Sequence, residues 1–274
     1  MESLLTDLSS ATLARATKAN LYECFRWLRR SSKTEFCENP KMVRWYTGIP
    51  HPWLNGVICM QPASQGDEQL VEETLAYFRS RDLTTLTWWL WPGLQQSNWA
   101  PYLLPRGFRS DEHTPGMAVD LLVLSDDVTS LADLKIRRVA DRQTARTWLR
   151  TFVNGCELPI AWEHDLLDLI SDLGVDFPIR NYLGYVNGKP VATSSVFFAA
   201  GVAGLQFIAT VPKARRRGIG AAMTLAPLRE ARSMGYHVGT LQSSEMGYRM
   251  YERLGFRKVC NMDHFNWIGE PEQL

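Results

Sequence analysis

The stretch from Gln206 to Ala222 constrains the fold of this chain more than any other part of the sequence. It reads QFIATVPKARRRGIGAA and joins an apolar, β-prone run to a helix-forming run that ends before Gly235. Pro212 ends the strand, because proline lacks the backbone N–H that a sheet needs. A basic turn follows, in which Gly218 and Gly220 stand two residues apart. The sequence therefore predicts a strand, a glycine turn and a helix in direct succession.

This succession predicts a site for a diphosphate. The first amides of a helix have no partner within the helix, and the helix dipole places partial positive charge at the same end. Gly218 and Gly220 allow a close approach to the anion that a Cβ would prevent, and Arg215–Arg217 add positive charge. The turn lacks the Gly-Lys-Ser/Thr of a P-loop and the third glycine of a dinucleotide fingerprint. Another class of diphosphate ligand is therefore indicated.

A second block of sequence identifies the class. A strand-like run at His237–Ser243 is followed by SEMGYRMYERLGF at 244–256. Together with the form Arg215-x-x-Gly218-x-Gly220-Ala221, this block resembles the GCN5-related N-acetyltransferase (GNAT) superfamily. Members of that family end with a helix carrying a tyrosine, then Leu-Gly-Phe, then a last strand. The resemblance covers residues 134–267.

The periodicity of residues 134–267 predicts the element order β-α-α-β-β-β-α-β-α-β. Asp141 is a predicted N-cap of the first helix, and Asn187-Gly188 predicts a tight hairpin turn. Arg257–Trp267 is predicted as one closing strand. The predicted fold class is α+β in layers, with a mixed, mostly antiparallel central sheet flanked by helices, as in GNAT-type acyltransferases.

The first half of the chain shows a weak echo of the second. LLPRGF at 103–108, followed by a strand at Met117–Leu124, parallels YERLGF at 251–256, followed by the closing strand. We therefore predict a degenerate GNAT-like domain without a CoA motif at 1–125, a linker at 126–133 and a GNAT domain at 134–274. The fold would then occur in tandem. An unrelated α+β domain in the first half stays open.

The resemblance implies acetyl-CoA, or another acyl-CoA, as cosubstrate, and no metal. It places the pantetheine arm along Ile208, Ala209 and Thr210. It places the diphosphate on the amides of the glycine turn, which are those of Arg216, Arg217, Gly218, Ile219, Gly220 and Ala221. Tyr251 matches the general acid that protonates the departing thiolate. Ser244 stands where many members carry asparagine, and the resemblance implies that its hydroxyl contacts the pantetheine with a shorter reach.

The sequence does not reveal a general base. Gln206–Thr210 contains no carboxylate, although some members of the family carry one on this strand. Glu157, Glu163 and His164 are candidates, but a solvated helix face explains the last two equally well. In the first half, Trp88, Trp89 and Trp91 suggest either core packing or a wall for an apolar acceptor.

Composition excludes several classes of function. A formal net charge of +1 and the lack of a basic module argue against nucleic acid as a partner. No apolar run reaches the ~18 residues of a membrane span, and Met1–Asp7 does not resemble a signal peptide. Five scattered cysteines without a C-x-x-C pair indicate reduced thiols and no zinc site. We therefore expect a cytoplasmic protein with no membrane partner; a homodimer stays open.

Three functions follow from these observations. The first is an acyl-CoA-dependent N-acyltransferase, foremost an N-acetyltransferase, acting on a small-molecule or peptide amine. The alternative is a catalytically idle CoA-binding sensor or scaffold protein, suggested by the missing carboxylate and by Ser244. The third, a binding module that has lost CoA, is disfavoured by the intact Gly218 and Gly220.

Overall fold

A computed structural model describes residues 3–91, 93–111, 114–124, 131 and 133–269. Its contacts divide the chain into two units, each of which takes residues from both ends of the sequence. Unit 1 comprises Met1–Cys24 and Pro115–Cys260, and unit 2 comprises Phe25–Thr114 and Asn261–Leu274.

The described residues form helices and strands in this order along the chain. The helices are α1 (Ser10–Trp27), α2 (Asp67–Arg79), α3 (Gln96–Leu103), α4 (Arg142–Gly155), α5 (Glu163–Leu173), α6 (Ile219–Ser233) and α7 (Glu245–Arg253). The strands are β1 (Glu35–Glu38), β2 (Met42–Tyr46), β3 (Gly56–Cys59), β4 (Thr85–Leu90), β5 (Phe108–Asp111), β6 (Pro115–Asp120), β7 (Leu134–Arg138), β8 (Ile179–Val186), β9 (Lys189–Ala199), β10 (Val202–Thr210), β11 (Val238–Gln242), β12 (Arg257–Asn261) and β13 (His264–Ile268).

Unit 1 is built on a seven-stranded sheet with the order β12-β6-β11-β10-β9-β8-β7. Strands β10 and β11 pair in parallel, whereas β7–β8, β8–β9, β9–β10 and β6–β11 are antiparallel. Because side chains alternate across a sheet, Met117 packs with α6 on one face while Ala118 packs with α1 on the other. The sheet therefore has helices on both faces.

Unit 2 is built on a six-stranded sheet with the order β1-β2-β3-β4-β13-β5, in which β3 and β4 are parallel. Its core is aromatic: Trp88 and Trp89 are fully buried on β4. Trp88 packs on Trp99, with 5.4 Å between ring centroids, and Trp89 packs on His264 at 4.4 Å. These two tryptophans pack the core of their own unit. The prediction that they wall an acceptor site is therefore wrong.

Each half of the sequence gives its last strand to the other sheet. Strand β6 lies between β11 and β12 in the seven-stranded sheet, and β13 lies between β4 and β5 in the six-stranded sheet. The predicted division at 1–125 and 134–274 therefore differs from the observed one, whose boundaries fall at Cys24/Phe25, Thr114/Pro115 and Cys260/Asn261. Of the predicted linker, residues 126–130 and 132 lie outside the described residues.

The predicted strand at Arg257–Trp267 is two strands, and this prediction is corrected. Met262 and Asp263 separate β12 from β13. The N–H of Met262 donates to Thr114, and the carbonyl of Asp263 accepts from Leu90, both within unit 2. Phe265 and Trp267 alternate with polar residues as in any strand. This pattern does not specify the sheet to which a strand belongs.

Two local predictions are confirmed. Asp141 caps α4, since its carboxylate accepts from Thr144 N–H at 2.7 Å and the Thr144 hydroxyl accepts from Asp141 N–H at 3.1 Å. Asn187 and Gly188 have φ of 50° and 74° and join β8 to β9, as the hairpin turn requires. No helix in the described part of the chain has the length and hydropathy needed to cross a membrane.

Candidate active site

Strands β10 and β11 diverge and leave a fork in the seven-stranded sheet. They pair from Ala203–Gly239 to Leu205–Leu241, and β10 then continues to Thr210. Over Gln206–Thr210, the β11 side of β10 has no strand partner among the described residues. Main-chain groups of this segment are therefore available to an extended ligand, apart from the Phe207 and Thr210 carbonyls, which accept from Thr193 and Arg215.

A β-bulge lies at the base of the fork. Gln206 pairs with Ser195 but Ala209 pairs with Thr193, so β10 carries one extra residue. Phe207 adopts a left-handed conformation, with φ of 52°, and its carbonyl accepts from the Thr193 hydroxyl at 3.0 Å. Bulges of this kind redirect a side chain beside a site.

The glycine turn forms the predicted helix N-terminus. Gly218 is the N-cap of α6 with φ of 78°, a conformation that favours glycine. The first helical hydrogen bond runs from Ala222 N–H to the Gly218 carbonyl, at 3.2 Å. The amides of Ile219, Gly220 and Ala221 therefore come before the first hydrogen bond of the helix and have no acceptor within it. A Cβ at Gly220 would stand 3.3 Å from Met250 Sδ, so α7 lies directly beside this turn.

Arg215, which the sequence places beside the turn as one of three cations, is hydrogen-bonded to other parts of the chain. Its guanidinium donates to the Thr210 carbonyl at 3.1 Å, to the Gly155 carbonyl at 2.8 Å and to the Glu157 carboxylate at 3.0 Å. These bonds join the end of β10 to the end of α4. Arg216 and Arg217 are exposed, and they are the cations available to a diphosphate.

Tyr251 lies in α7 in the same hydrophobic cluster as Ile208 of β10 and Ile219 of α6. The side chain is 7% exposed and its ring packs edge-to-face on Phe256, at 5.7 Å. Among the described residues its hydroxyl has no hydrogen-bond partner. Burial raises the pKa of the phenol to about 12, which keeps it protonated at neutral pH.

Ser244 caps α7. Its hydroxyl oxygen accepts from Gly247 N–H at 3.3 Å, and the side chain is exposed. Its hydroxyl hydrogen is left for another acceptor. Glu245 lies in the first turn of the same helix, where an acid complements the dipole.

The three candidate bases differ in exposure. Glu157 is paired with Arg215, and its side chain is 65% exposed. Glu163 pairs with Arg150 at 2.6 Å and its side chain is 23% exposed, whereas the His164 side chain is 83% exposed. Both glutamates are therefore held in ion pairs.

Two glutamines meet across the fork, and sequence reasoning missed their pairing. Gln206 Nε2 donates to Gln242 Oε1 at 3.2 Å, and Gln206 is 8% exposed. Gln242 Nε2 is buried without a partner in the described part of the chain. The available signal was the presence of Gln206 on a strand that carries a carboxylate in some members of the family.

Among the described residues, no three His, Cys, Asp or Glu side chains stand close enough together to hold a metal ion.

Comparison with known proteins shows what this part of the chain resembles. The sequence pattern of the acetyltransferase (GNAT) family matches residues 146–256. This range contains the fork, the glycine turn and Tyr251. No curated protein sequence matches the chain significantly.

Solved structures with a similar fold cover nearly the whole chain. A GCN5-related N-acetyltransferase from Kribbella flavida has a TM-score of 0.68 and 20% identity, and the match covers 94% of this chain and 96% of that one. One from Sphaerobacter thermophilus has a TM-score of 0.64 and 14% identity, over 99% and 96% of the two chains. A tandem GNAT protein from the clavulanic acid biosynthesis pathway has a TM-score of 0.56 and 15% identity, over 89% and 86%.

The two sheets of this chain form a tandem-like arrangement, and the predicted fold class is confirmed. Residues 146–256 therefore match the acetyltransferase (GNAT) family model, and the chain shares the overall fold of GCN5-related N-acetyltransferases.

Proposed function

We propose that this protein is an acyl-CoA-dependent N-acyltransferase that transfers an acetyl group from acetyl-CoA to an amine. The observation that carries the proposal is the fork of β10 and β11 together with the amides at the N-terminus of α6 that precede its first helical hydrogen bond. An extended thiol arm fits the first feature and a diphosphate fits the second.

Different segments of the chain would bind the pantetheine arm and the diphosphate of acetyl-CoA. The main-chain groups of Ile208–Thr210 would pair with the pantetheine arm as an added strand would. The amides from Arg216 to Ala221, with the side chains of Arg216 and Arg217, would hold the diphosphate. Arg215 would position both, because it ties the end of β10 to α4.

The reaction is direct transfer. The amine nitrogen attacks the thioester carbonyl carbon, the carbon–sulfur bond breaks, and the sulfur leaves as a thiolate that Tyr251 protonates or hydrogen-bonds. The raised pKa of Tyr251 keeps the phenol a donor throughout the physiological range. Because Gln206–Thr210 carries no carboxylate, we propose that water takes the proton of the amine. Most of the acceleration would come from positioning and from polarisation of the carbonyl by strand amides.

The first test is a thermal-shift titration with acetyl-CoA on the native protein and on Gly220→Asp. A ligand at a hundredfold excess over its Kd stabilises the native state by about 2.7 kcal/mol, or roughly 5 °C in Tm. Gly220 is the second residue of α6, where an acid suits the helix dipole but repels a diphosphate. We expect Gly220→Asp to remain folded and to lose the shift.

Gln143→Asp is the matched control, because Gln143 is the exposed second residue of α4. It should keep the full shift. Equal shifts for the native protein and Gly220→Asp would contradict the assignment of the diphosphate to this turn.

The second candidate function is a CoA-binding sensor without turnover. It is favoured by the neutral Gln206–Gln242 pair, which cannot act as a base. Release of CoA from acetyl-CoA, measured against a panel of amines, separates the two. Stabilisation by acetyl-CoA without CoA release from any amine would establish the sensor.

A further inference from the structure

We propose that the acceptor is a monoamine joined to an aromatic or bulky apolar group, and that Phe207 is the residue that selects it. The inference rests on the proposed function, because it assumes that the thioester lies in the fork. A reacting amine must come within about 3–3.5 Å of that thioester. Phe207 is the second residue of β10 beyond its last pair with β11, and is therefore among the residues nearest to the amine.

Phe207 has a backbone conformation that is unfavourable for a bulky residue. A bulky residue with a φ of 52° is an outlier, and such backbone strain concentrates at functional sites. The Thr193 hydroxyl holds the Phe207 carbonyl in this conformation. Yet the side chain is 38% exposed, so packing recovers only part of the strain. Both the strained backbone and the exposed ring are explained if the ring contacts a ligand.

The ring of Phe207 belongs to an aromatic cluster in which Trp148 is buried and Phe207 and Phe152 reach the surface. Trp148 and Phe152 of α4 stack with 8° between their planes, and each packs edge-to-face on Phe207, at 5.9 Å and 5.4 Å. The Trp148 indole N–H donates to the Ser194 carbonyl at 3.3 Å, which fixes its orientation. An apolar group beside the fork would therefore meet a preformed surface at little cost in side-chain entropy.

The two strand segments that line the fork carry no charged side chain: Gln206–Thr210 reads QFIAT and Thr240–Ser244 reads TLQSS. At the Thr210 end, the Glu157 carboxylate is already paired with the Arg215 guanidinium. A second ammonium held against these segments would lose water without gaining an unpaired carboxylate, which is strongly unfavourable. The neutral amides of Gln206 and Gln242 can instead hydrogen-bond a single amine or its oxygen-bearing neighbours. Charge therefore favours a monoamine over a diamine or polyamine.

The test compares 2-phenylethylamine with 1,4-diaminobutane on the native protein and on Phe207→Gly. Glycine adopts the same φ without strain, so this variant keeps the bulge while it removes the ring. We expect kcat/KM of the native protein to be at least tenfold higher for 2-phenylethylamine. Phe207→Gly should lose at least tenfold for this amine, mainly through KM, and change less than twofold for the diamine. Phe177→Ala, which removes a 59% exposed ring elsewhere in unit 1, should change neither.

A binding measurement makes the inference independent of turnover. Calorimetry of 2-phenylethylamine with the CoA-bound protein should show binding that Phe207→Gly weakens at least tenfold. No binding to the native protein, equal binding by the variant, or a preference for the diamine would overturn the inference. Binding without CoA release would support the inference and contradict only the proposed function.

Discussion

Packing fixes the ring of Tyr251 and leaves its hydroxyl available as a hydrogen-bond donor. Its ring contacts Phe256, and an ideal Cβ at Gly247 would lie 2.8 Å from the ring, so no larger residue fits there without movement. The hydroxyl has no partner among the described residues. A donor that is fixed by its ring and unpaired at its oxygen is available to a departing thiolate.

We predict that Tyr251→Phe lowers kcat more than tenfold and changes the Kd of acetyl-CoA less than twofold, because phenylalanine keeps the packing and removes the donor. The pKa of about 12 makes the phenol a donor at all pH values below that range, and the donor is lost as pH rises through it. Tyr251 should therefore cause no fall of the native kcat between pH 7 and 10. Steady-state kinetics with calorimetry of acetyl-CoA binding measures both effects.

Tyr248 provides the control, because it lies on the same helix and is only partly buried. Tyr248→Phe should leave kcat within threefold. An unchanged kcat in Tyr251→Phe would show that Tyr251 only packs the core.

At this scale the sequence predicted local geometry well and distant contacts poorly. Gly218, with its positive φ and its place before α6, follows from the spacing of the turn. The role of Arg215 does not, because its partner Gly155 lies 60 residues away and bonds through a backbone carbonyl. A pattern of side chains contains no information about such an acceptor.

At the scale of elements, α1 docks on the seven-stranded sheet through one polar residue. Asn20 is fully buried, and its amide donates to the carbonyls of Phe197 and Ala199 at 3.0 Å and 3.1 Å. It occupies the space above Gly204, where an ideal Cβ would lie 1.8 Å from Asn20 Oδ1. Asn20 on α1 therefore requires a glycine at position 204 of β10.

We predict that Gly204→Ala lowers the free energy of unfolding by about 2 kcal/mol, in the range typical of overpacking. The added Cβ would force α1 away from β10. Urea unfolding measures the change.

Asn20→Ala tests the cause. In that background the same change at Gly204 should cost at least 1 kcal/mol less, since residues in contact do not act additively. Additive effects of the two substitutions would show that the strain arises elsewhere.

The elements themselves were largely predictable, and their pairing was not. Asp141 and Asn187-Gly188 set local turns that hold in any tertiary context. The bulge at Phe207 depends on the register between β9 and β10, which one strand's sequence does not determine. Likewise, the side chains of β13 alternate as in a strand, but its position between β4 and β5 depends on contacts with residues far away in the sequence.

At the scale of the whole molecule, the exchange of β6 and β13 makes neither half of the sequence sufficient for its own sheet. A fragment of residues 131–274 lacks β6, which separates β11 from β12, and it also lacks α1. The fragment would expose the edge of β11 and the apolar face that α1 covers.

We predict that the 131–274 fragment shows no cooperative thermal unfolding and does not bind acetyl-CoA, even though it contains the whole range matched by the family. Circular dichroism and calorimetry measure the two properties. Coexpression of residues 1–130 as a separate chain should restore both. Cooperative unfolding and binding by the fragment alone would show that β6 is dispensable.

The position of β13 also affects how the protein is made. Domains generally fold in the order in which the ribosome produces them. Here β5 pairs with β13, and β13 also separates β5 from β4, so the sheet begun by the first residues needs residues 264–268. The six-stranded sheet is therefore completed only after residue 268 has been translated. Its apolar strands need protection until then, and the two halves finish folding together rather than in the order of their synthesis.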